Sequence, residues 1–448
     1  MIKKAGNIWL FAAKALLFFV VLAVFFIGQN IFYEQTLFYY WGNYIVLLLY
    51  MANLYFTCRI YNGFNFGNTD FQEIILSWIL CLVVTNCLQY LMLSLLESMM
   101  LNVGGFLVVL AVQLIIVSPL TYIIDKLYYR LNPAQKAIII YGKIEKAREY
   151  REIIEKHRKK FRINQVLSQD EPHDTLLAAI DGSESVFFLD VGESTRDPLL
   201  EHCFLHNKWT YILPTFPGVL LNTAGISWIS DTPMFLPKSP ELDMGARFIK
   251  RCMDILISLI GVILFSWLML IICLVTIVYD RHPAIYRQTR LTKGGKQFTL
   301  YKFRSMRPDA EDDGVPRLTS KDDGRITPFG RFIRKTRLDE LPQLFNVLSG
   351  SMSLIGPRPE RPEIAKQYEE IYPDFSFRTK VKAGITGFAQ IYGRYDTAPE
   401  EKLFLDIMYI ETFSIWQDVK LIFQTFKVIF KSSSTEGVPN DSTTALRR

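Results

Sequence analysis

The sequence predicts a membrane protein of mixed class. Its parts are a four-helix transmembrane bundle over residues 1–130, a small cytoplasmic α/β domain over 133–230, a linker over 231–246 and a C-terminal domain over 247–431. A disordered Ser/Thr-rich tail, 432–448, would follow. Three observations predict this. Apolar residues make up 50% of the chain, a high share for a wholly water-soluble protein. Four apolar runs, at 8–28, 38–57, 74–96 and 105–124, each approach the ~20 residues a helix needs to cross hydrocarbon. From residue 133 the composition turns polar, and strand candidates alternate with helix candidates.

The four opening runs read as transmembrane helices rather than a removable signal, because no small-residue cleavage site follows the first and three more spans succeed it. The connections 29–37 and 97–104 contain no Lys or Arg, whereas Lys3, Lys4, Arg59, Lys126 and Arg130 mark the opposite side. That asymmetry places both ends of the bundle in the cytoplasm. The net charge of +6 is modest. Its cations cluster beside the apolar spans, which favours an anionic membrane surface as partner and excludes nucleic acid.

In the next segment the strand candidate Ala137-Ile138-Ile139-Ile140-Tyr141-Gly142 leads into a charged helix candidate over 144–160, and Ser185-Val186-Phe187-Phe188-Leu189-Asp190 is a second strand candidate. The pattern reads as a small parallel, Rossmann-like sheet. It is a degenerate one, since a phosphate-cradling turn needs closely spaced glycines and only Gly142 precedes Lys143-Ile144-Glu145. A structural or assembly role, a homodimer among its possibilities, fits better than cofactor binding. Five of the six cysteines lie in or beside apolar segments without CxxC spacing, so neither disulfides nor zinc is indicated. No histidine follows Pro283, which removes histidine-based acid/base schemes from the C-terminal part.

The fifth apolar run, 255–278, is long enough to span, yet it is basic on both flanks, with Arg247, Lys250 and Arg251 before it and Arg281, Arg287, Arg290 and Lys293 after it. Charge placement puts both ends on one face, as a helix that enters and turns back would do. A complete fifth span is the alternative. Near the end, Gln417, Lys420, Gln424, Lys427 and Lys431 form a polar stripe on an otherwise apolar helix candidate over 413–431. It reads either as an interfacial helix or as one docked on the domain core.

The chemistry points to Arg334-Lys335-Thr336-Arg337-Leu338-Asp339-Glu340-Leu341-Pro342-Gln343-Leu344, followed by Gly356-Pro357-Arg358-Pro359. Adjacent carboxylates among fixed cations suit phosphoryl chemistry: a carboxylate attacks phosphorus or binds Mg²⁺, and arginines neutralise phosphate oxygens through forked hydrogen bonds. Pro342 disfavours helix at Leu341 and suits the first turn of a new helix, so the acid pair precedes a helix amino terminus, which favours bound anions. Helix capping alone would explain an acid there as well. Arg358, stiffened by Pro357 and Pro359, Arg334, and the strand-borne Lys302 and Arg304 are the candidate phosphate ligands. Gly384 and Gly387 permit close backbone approach.

Gln288-Thr289-Arg290, Phe298-Thr299-Leu300-Tyr301-Lys302-Phe303-Arg304-Ser305-Met306, the Asp-Glu block and Gly384-Ile385-Thr386-Gly387-Phe388-Ala389-Gln390-Ile391-Tyr392-Gly393-Arg394 occur in this order. In that order they resemble the bacterial sugar transferase family of monotopic phosphoglycosyl transferases, in the large form similar to undecaprenyl-phosphate glucose/galactose phosphotransferases, over roughly 247–432. The resemblance implies a mainly α-helical catalytic domain with a re-entrant membrane helix at about 255–278, held at the cytoplasmic face of the bacterial inner membrane. It implies transfer of a sugar 1-phosphate from a UDP-sugar to polyprenyl phosphate with release of UMP, the step that initiates exopolysaccharide, capsule or O-antigen synthesis. It also implies Asp339 as nucleophile, Glu340 as its assistant and Mg²⁺ at the pair, with UDP-sugar, polyprenyl phosphate and membrane lipids as partners. The family's Ser-Pro kink is Ser266-Trp267 here, so the kink would rest on Ser266 bonding back to the preceding turn. Its Pro-Gly-Ile-Thr-Gly-Trp stretch has Ala383 and Phe388 instead. Rival readings are a membrane-bound nucleotide-sugar dehydratase or epimerase, whose Tyr-x-x-x-Lys spacing occurs only at Tyr122 and Lys126 ahead of the α/β domain, and a catalytically silent scaffold.

Overall fold

The computed structural model describes residues 2–32, 41–237, 242–307, 309–310, 323–393 and 398–429. The tail expected at 432–448, with Lys431, lies outside them. The chain forms two compact units, Met1–Leu213 and Pro214–Arg448.

The first unit begins with α1 (Ile2–Phe32), α2 (Gly42–Tyr61), α3 (Phe71–Leu96) and α4 (Val103–Leu131). Each is long and apolar enough to cross a bilayer. α1 packs on α4, α2 on α3 and α3 on α4. Their polarity is the inverse of a water-soluble bundle. Phe11 and Ile115 stand outward at 75% and 71% exposure, while Gln113, Asn86, Thr57 and Thr85 are buried. The Asn86 side chain donates to Gln113 Oε1 at 2.7 Å, and Gln113 Nε2 donates to the Tyr50 hydroxyl at 2.9 Å. Polar side chains facing inward and apolar ones outward are what hydrocarbon surroundings select.

The same unit continues with β1 (Gln135–Tyr141), α5 (Ile144–Lys156), β2 (Phe161–Ser168), α6 (His173–Asp181), β3 (Ser185–Leu189), α7 (Glu193–Leu205) and β4 (Trp209–Ile212). The strands form one parallel sheet in the order β2-β1-β3-β4. Residue alternation along β1 divides the core. Ile138 and Ile140 join Leu176, Ile180, Leu199 and Cys203 of α6 and α7, whereas Ala137 and Ile139 join Ile154 of α5 on the other face. Burial on both faces explains why these strands read as unbroken apolar runs. Gly142 serves packing: a Cβ there would lie 2.0 Å from the Asp190 carbonyl oxygen.

The second unit comprises α8 (Phe216–Asn222), β5 (Gly225–Ile229), β6 (Thr232–Leu236), α9 (Met244–Asp280), β7 (Ile285–Leu291), β8 (Gln297–Phe303), α10 (Pro328–Lys335), α11 (Gln343–Ser349), β9 (Ser353–Ile355), α12 (Pro362–Ile371), β10 (Gly384–Thr386), α13 (Phe388–Tyr392), α14 (Pro399–Glu411) and α15 (Ile415–Ile429). Two expectations change here. Residues 214–230 do not complete the α/β domain, because Val219 of α8 is buried among Ile364, Ala365, Phe375 and Ile407 of this unit. The unit is also mixed rather than mainly α, since β5–β6, β7–β8 and β9–β10 form three two-stranded sheets among its helices.

α9 is the fifth helix long and apolar enough to span, and it is helical without a break through Ser266, whose hydroxyl donates to the Ile263 carbonyl at 2.9 Å. One face carries exposed Leu256, Ile263, Leu264, Trp267 and Leu270. The other is joined to the unit near both ends. Lys250 pairs with buried Asp418, Arg251 donates to the carbonyls of Val347 and Leu348, and Ile272 is buried against Phe303 and Ile333. α15 docks on the core through Leu421, Asp418 and Gln424, which are buried. Gln424 therefore does not belong to an outward polar stripe; it accepts from the Tyr392 hydroxyl at 2.9 Å.

Candidate active site

The acid pair sits on a single 3-10 turn, Leu338–Glu340, between α10 and α11. Thr327 caps α10 by accepting from Gly330 N at 3.0 Å. The helix ends at Arg334-Lys335, and Arg337 then takes the left-handed backbone, φ 59°, which costs a non-glycine residue about 1–2 kcal/mol. The turn is held from both sides. Leu338 and Leu341, which bracket the acids, pack with Leu268, Met269 and Cys273 of α9 around Ile272, Phe303 and Ile333. Pro342 stands at the cap position of α11, just ahead of its first turn, and Leu341 before it takes the right-handed helical backbone, φ −54° and ψ −36°, that the proline was expected to disfavour.

Asp339 and Glu340 are both buried, at 8% and 9% exposure, but in different company. Glu340 Oε1 accepts from Arg358 Nη2 at 2.8 Å and Lys302 Nζ at 3.2 Å, and Arg337 Nη1 lies 3.9 Å away. Burial pushes its carboxyl up, yet Arg358, Lys302 and Arg337 together outweigh that and hold it well below the usual glutamate range. Glu340 is therefore a fixed anion. For Asp339, burial and then the charge on Glu340 raise the carboxyl, and Lys302, Arg334 and Arg337 offset only part of the rise. The two acids are thus separated electrostatically: one neutralises cations, and the other remains nearer protonation.

Asp339 faces a cavity of about 200 Å³, and Glu340 does not line it. Among the described lining residues Asp339 is the single carboxylate, set against Arg290, Lys302, Arg304, Arg307, Arg325, Arg334 and Arg361. Lys302 is the penultimate residue of β8 and Arg304 is the first residue after it, so one strand end delivers both cations from positions two apart. Buried Nη1 of Arg304 has no hydrogen-bond partner among the described residues. Such an excess of positive charge in a concave, partly dry site is complementary to a polyanion.

Sequence reasoning placed Asp339, Glu340, Arg358, Arg334, Lys302 and Arg304 at the site, and the structure brings all six together around the turn. Arg358 reaches Glu340 rather than the cavity lining. Ser266 stands apart from this group on the exposed face of α9. The prolines act through their carbonyls. Pro357 O accepts from Gly384 N at 2.9 Å, and Pro359 O accepts from Arg290 Nη1 at 3.1 Å. β9 and β10 approach so closely that a Cβ on Gly384 would lie 2.1 Å from Gly356 N, and one on Gly387 2.3 Å from Gly356 O.

Several residues were missed. Arg290 lines the cavity and donates to Gln288 Oε1 at 2.6 Å. Burial lowers it to about 10, which leaves it charged at neutral pH. Arg378 donates to Arg358 O at 2.9 Å and lies 2.7 Å from Asp406 Oδ2, fixing the loop from behind. Burial raises Asp406 to about 6 against the pull of Arg378, so desolvation outweighs that short contact. Asn346 of α11 donates to Thr299 O at 2.7 Å and accepts from Tyr301 N at 3.0 Å, which sets the strand that presents Lys302. Of these, only Arg290 lay in a block visible in the sequence.

Residues 245–432 match the family described as Bacterial sugar transferase, in agreement with the resemblance read from the ordered blocks. The chain is similar to the UDP-N-acetylgalactosamine-undecaprenyl-phosphate N-acetylgalactosaminephosphotransferase of Aeromonas hydrophila, 42% identical over 185 residues, 41% of this chain and 44% of that protein. It is 36% identical over 255 residues, 53% of each chain, to the undecaprenyl-phosphate galactose phosphotransferase of Salmonella typhimurium. It is 40% identical over 226 residues to the UDP-glucose:undecaprenyl-phosphate glucose-1-phosphate transferase of Klebsiella pneumoniae, covering 49% of this chain and 48% of that one. The chain spans about half the length of the curated relatives it matches.

Proposed function

We propose that the bacterial sugar transferase segment makes this chain a phosphoglycosyl transferase, moving a sugar 1-phosphate from a UDP-sugar to polyprenyl (undecaprenyl) phosphate and so starting exopolysaccharide, capsule or O-antigen assembly. The observation that carries this reading is Asp339 as the one carboxylate, among the described residues, facing a cavity whose other charged lining residues are all cations. In the first step an Asp339 oxygen bonds to the sugar-bearing phosphorus of the donor, and the bond from that phosphorus to the bridging oxygen breaks, releasing UMP. The aspartyl phosphosugar is then attacked by an oxygen of polyprenyl phosphate, and the bond to Asp339 breaks. Arg290, Arg304 and Arg334 neutralise the diphosphate and the departing UMP. Glu340, already neutralised by Arg358 and Lys302, fixes those cations and leaves Asp339 to react.

Mg²⁺ belongs to the same proposal. Carboxylate oxygens are the hard ligands it takes. The positive lining opposes a bare divalent cation, so the fit is to Mg²⁺ arriving with the donor's diphosphate. Asp339 would hold it there, whereas Glu340, outside the cavity and already paired with Arg358 and Lys302, is poorly placed to share it. Once bound, the ion would screen the repulsion between an anionic nucleophile and an anionic phosphate.

The membrane arrangement follows from α9. The seam that joins it to the catalytic unit runs from Lys250 to Ile272, about 33 Å at 1.5 Å per residue. A helix crossing the bilayer would carry this polar unit through hydrocarbon, so a re-entrant course with both ends on the cytoplasmic face of the inner membrane fits better. It requires the continuous α9 to bend in the membrane, at the turn where Ser266 bonds back to Ile263. α1–α4 are then a transmembrane bundle anchoring the chain, and the parallel-sheet domain has an assembly role, a homodimer included. With the acceptor phosphate at head-group depth, binding both substrates there makes their encounter local. A UMP-release assay over a panel of UDP-hexoses and UDP-N-acetylated sugars, with polyprenyl phosphate and Mg²⁺, tests the reading. Release dependent on one donor supports it, and no release with any donor refutes it.

A further inference from the structure

The parallel-sheet domain carries a cluster outside the chemistry described so far. His202 lies in the last turn of α7 and His206 is its C-cap residue, four positions on, and Asp181 is the last residue of α6. One ligand atom from each, two imidazole nitrogens and a carboxylate oxygen, lie within 4.8 Å of one another. We propose that Asp181, His202 and His206 form a binding site for a divalent transition-metal ion of the zinc class, which joins α6 to α7.

The supports of the three side chains are rigid. Ile180, next to Asp181, and Leu199 and Cys203, beside His202, are fully buried in one core cluster, so the helices cannot drift apart without opening it. The imidazoles are stacked, with centroids 4.0 Å apart. His206 Nδ1 donates to the His202 carbonyl at 2.9 Å, which fixes the tautomer and leaves Nε2 as the free lone pair, the second-shell arrangement usual for a metal-binding histidine. His202 Nε2 donates to Asp181 Oδ1 at 2.8 Å. Coordination replaces that hydrogen bond by two bonds to one ion, with the imidazole proton moving from Nε2 to Nδ1. Two imidazoles and a carboxylate suit zinc-class ions, with a water completing the tetrahedron. Lys208 Nζ is tied to the carbonyls of Asp181 and Ser183, at 2.8 and 2.7 Å, so its position beside the cluster is fixed. The cluster is open to solvent, which supplies the entry path.

The test is titration of the full-length protein in detergent with Co²⁺ and with Zn²⁺, in excess Mg²⁺ to mask the acid pair. The wild type is expected to bind one equivalent with a ligand-field absorption of imidazole coordination, and Zn²⁺ to raise its apparent Tm. His206→Gln and His202→Gln should each weaken binding at least tenfold, with UMP release unchanged in Mg²⁺ buffer free of transition metals. Asp181→Asn is the second route should a histidine variant unfold. Identical isotherms for wild type and variants, or no saturable binding, overturn the proposal whatever the catalytic assay shows.

Discussion

Replacing Glu340 by glutamine removes one buried negative charge while keeping the size of the side chain. In the wild type that charge is shared by Arg358 at 2.8 Å, Lys302 at 3.2 Å and Arg337 at 3.9 Å. Removing one member of a buried ion pair costs about 3–5 kcal/mol. The Arg358 side chain is 39% exposed and can turn to water, so the lower end applies here. A loss of about 3 kcal/mol corresponds to a fall of about 6–12 °C in Tm for a domain of 150–250 residues. The same change lowers the Asp339 carboxyl, because the second cause of its rise is the Glu340 charge. Thermal unfolding at one scan rate in detergent reads the first effect, and the pH dependence of residual UMP release reads the second. A Glu340→Gln protein with unchanged Tm and an unmoved acid limb would refute the division of roles between the two carboxylates.

Other predictions follow from the same geometry. Asp339→Asn abolishes both UMP release and transfer while the protein stays folded, checked by release assay and thermal scan. In the wild type the acid limb of UMP release lies above the ordinary aspartate range, because attack needs ionised Asp339 and its carboxyl is raised. The two acids have opposite linkage signs. Stability from protonated Asp339 is present below its unfolded value and is lost as pH rises through the folded one, whereas stability from Glu340 is present above its unfolded value and is lost as pH falls through its depressed one. Arg304→Gln removes a charge-assisted hydrogen bond to the donor worth about 1.5–3 kcal/mol, raising its KM by about ten- to a hundredfold with the fold intact. Gly384→Ala forces a Cβ to within 2.1 Å of Gly356 N, so β9 and β10 must part and the yield of folded protein falls.

The parts of the fold that depend on chain-local patterns were legible in the sequence. Runs of apolar residues gave α1–α4 and α9, and short apolar stretches gave β1 and β3, because sheet residues buried on both faces have no polar alternation to hide them. The acid pair was legible because its cationic neighbours occur in ordered blocks. Which carboxylate faces the cavity was not, since that depends on Lys302 and Arg358 arriving from β8 and the proline loop. Nothing local in the sequence marks Arg378 or Asn346, because their partners lie far along the chain. Residues 214–230 were assigned to the wrong side of a boundary for the same reason: Val219 finds its core in α12 and α14. The stripe on α15 left two readings open, and the docked one holds because Gln424 is polar and yet buried, its amide oxygen accepting from Tyr392.

The most direct measurement is a trapping experiment with donor labelled on the sugar-bearing phosphate and no acceptor present. The wild type should carry label on the peptide containing Asp339, lose it when polyprenyl phosphate is added, and show none in Asp339→Asn. Normal turnover with protein that never takes up label, or label that persists in Asp339→Asn, would contradict the account.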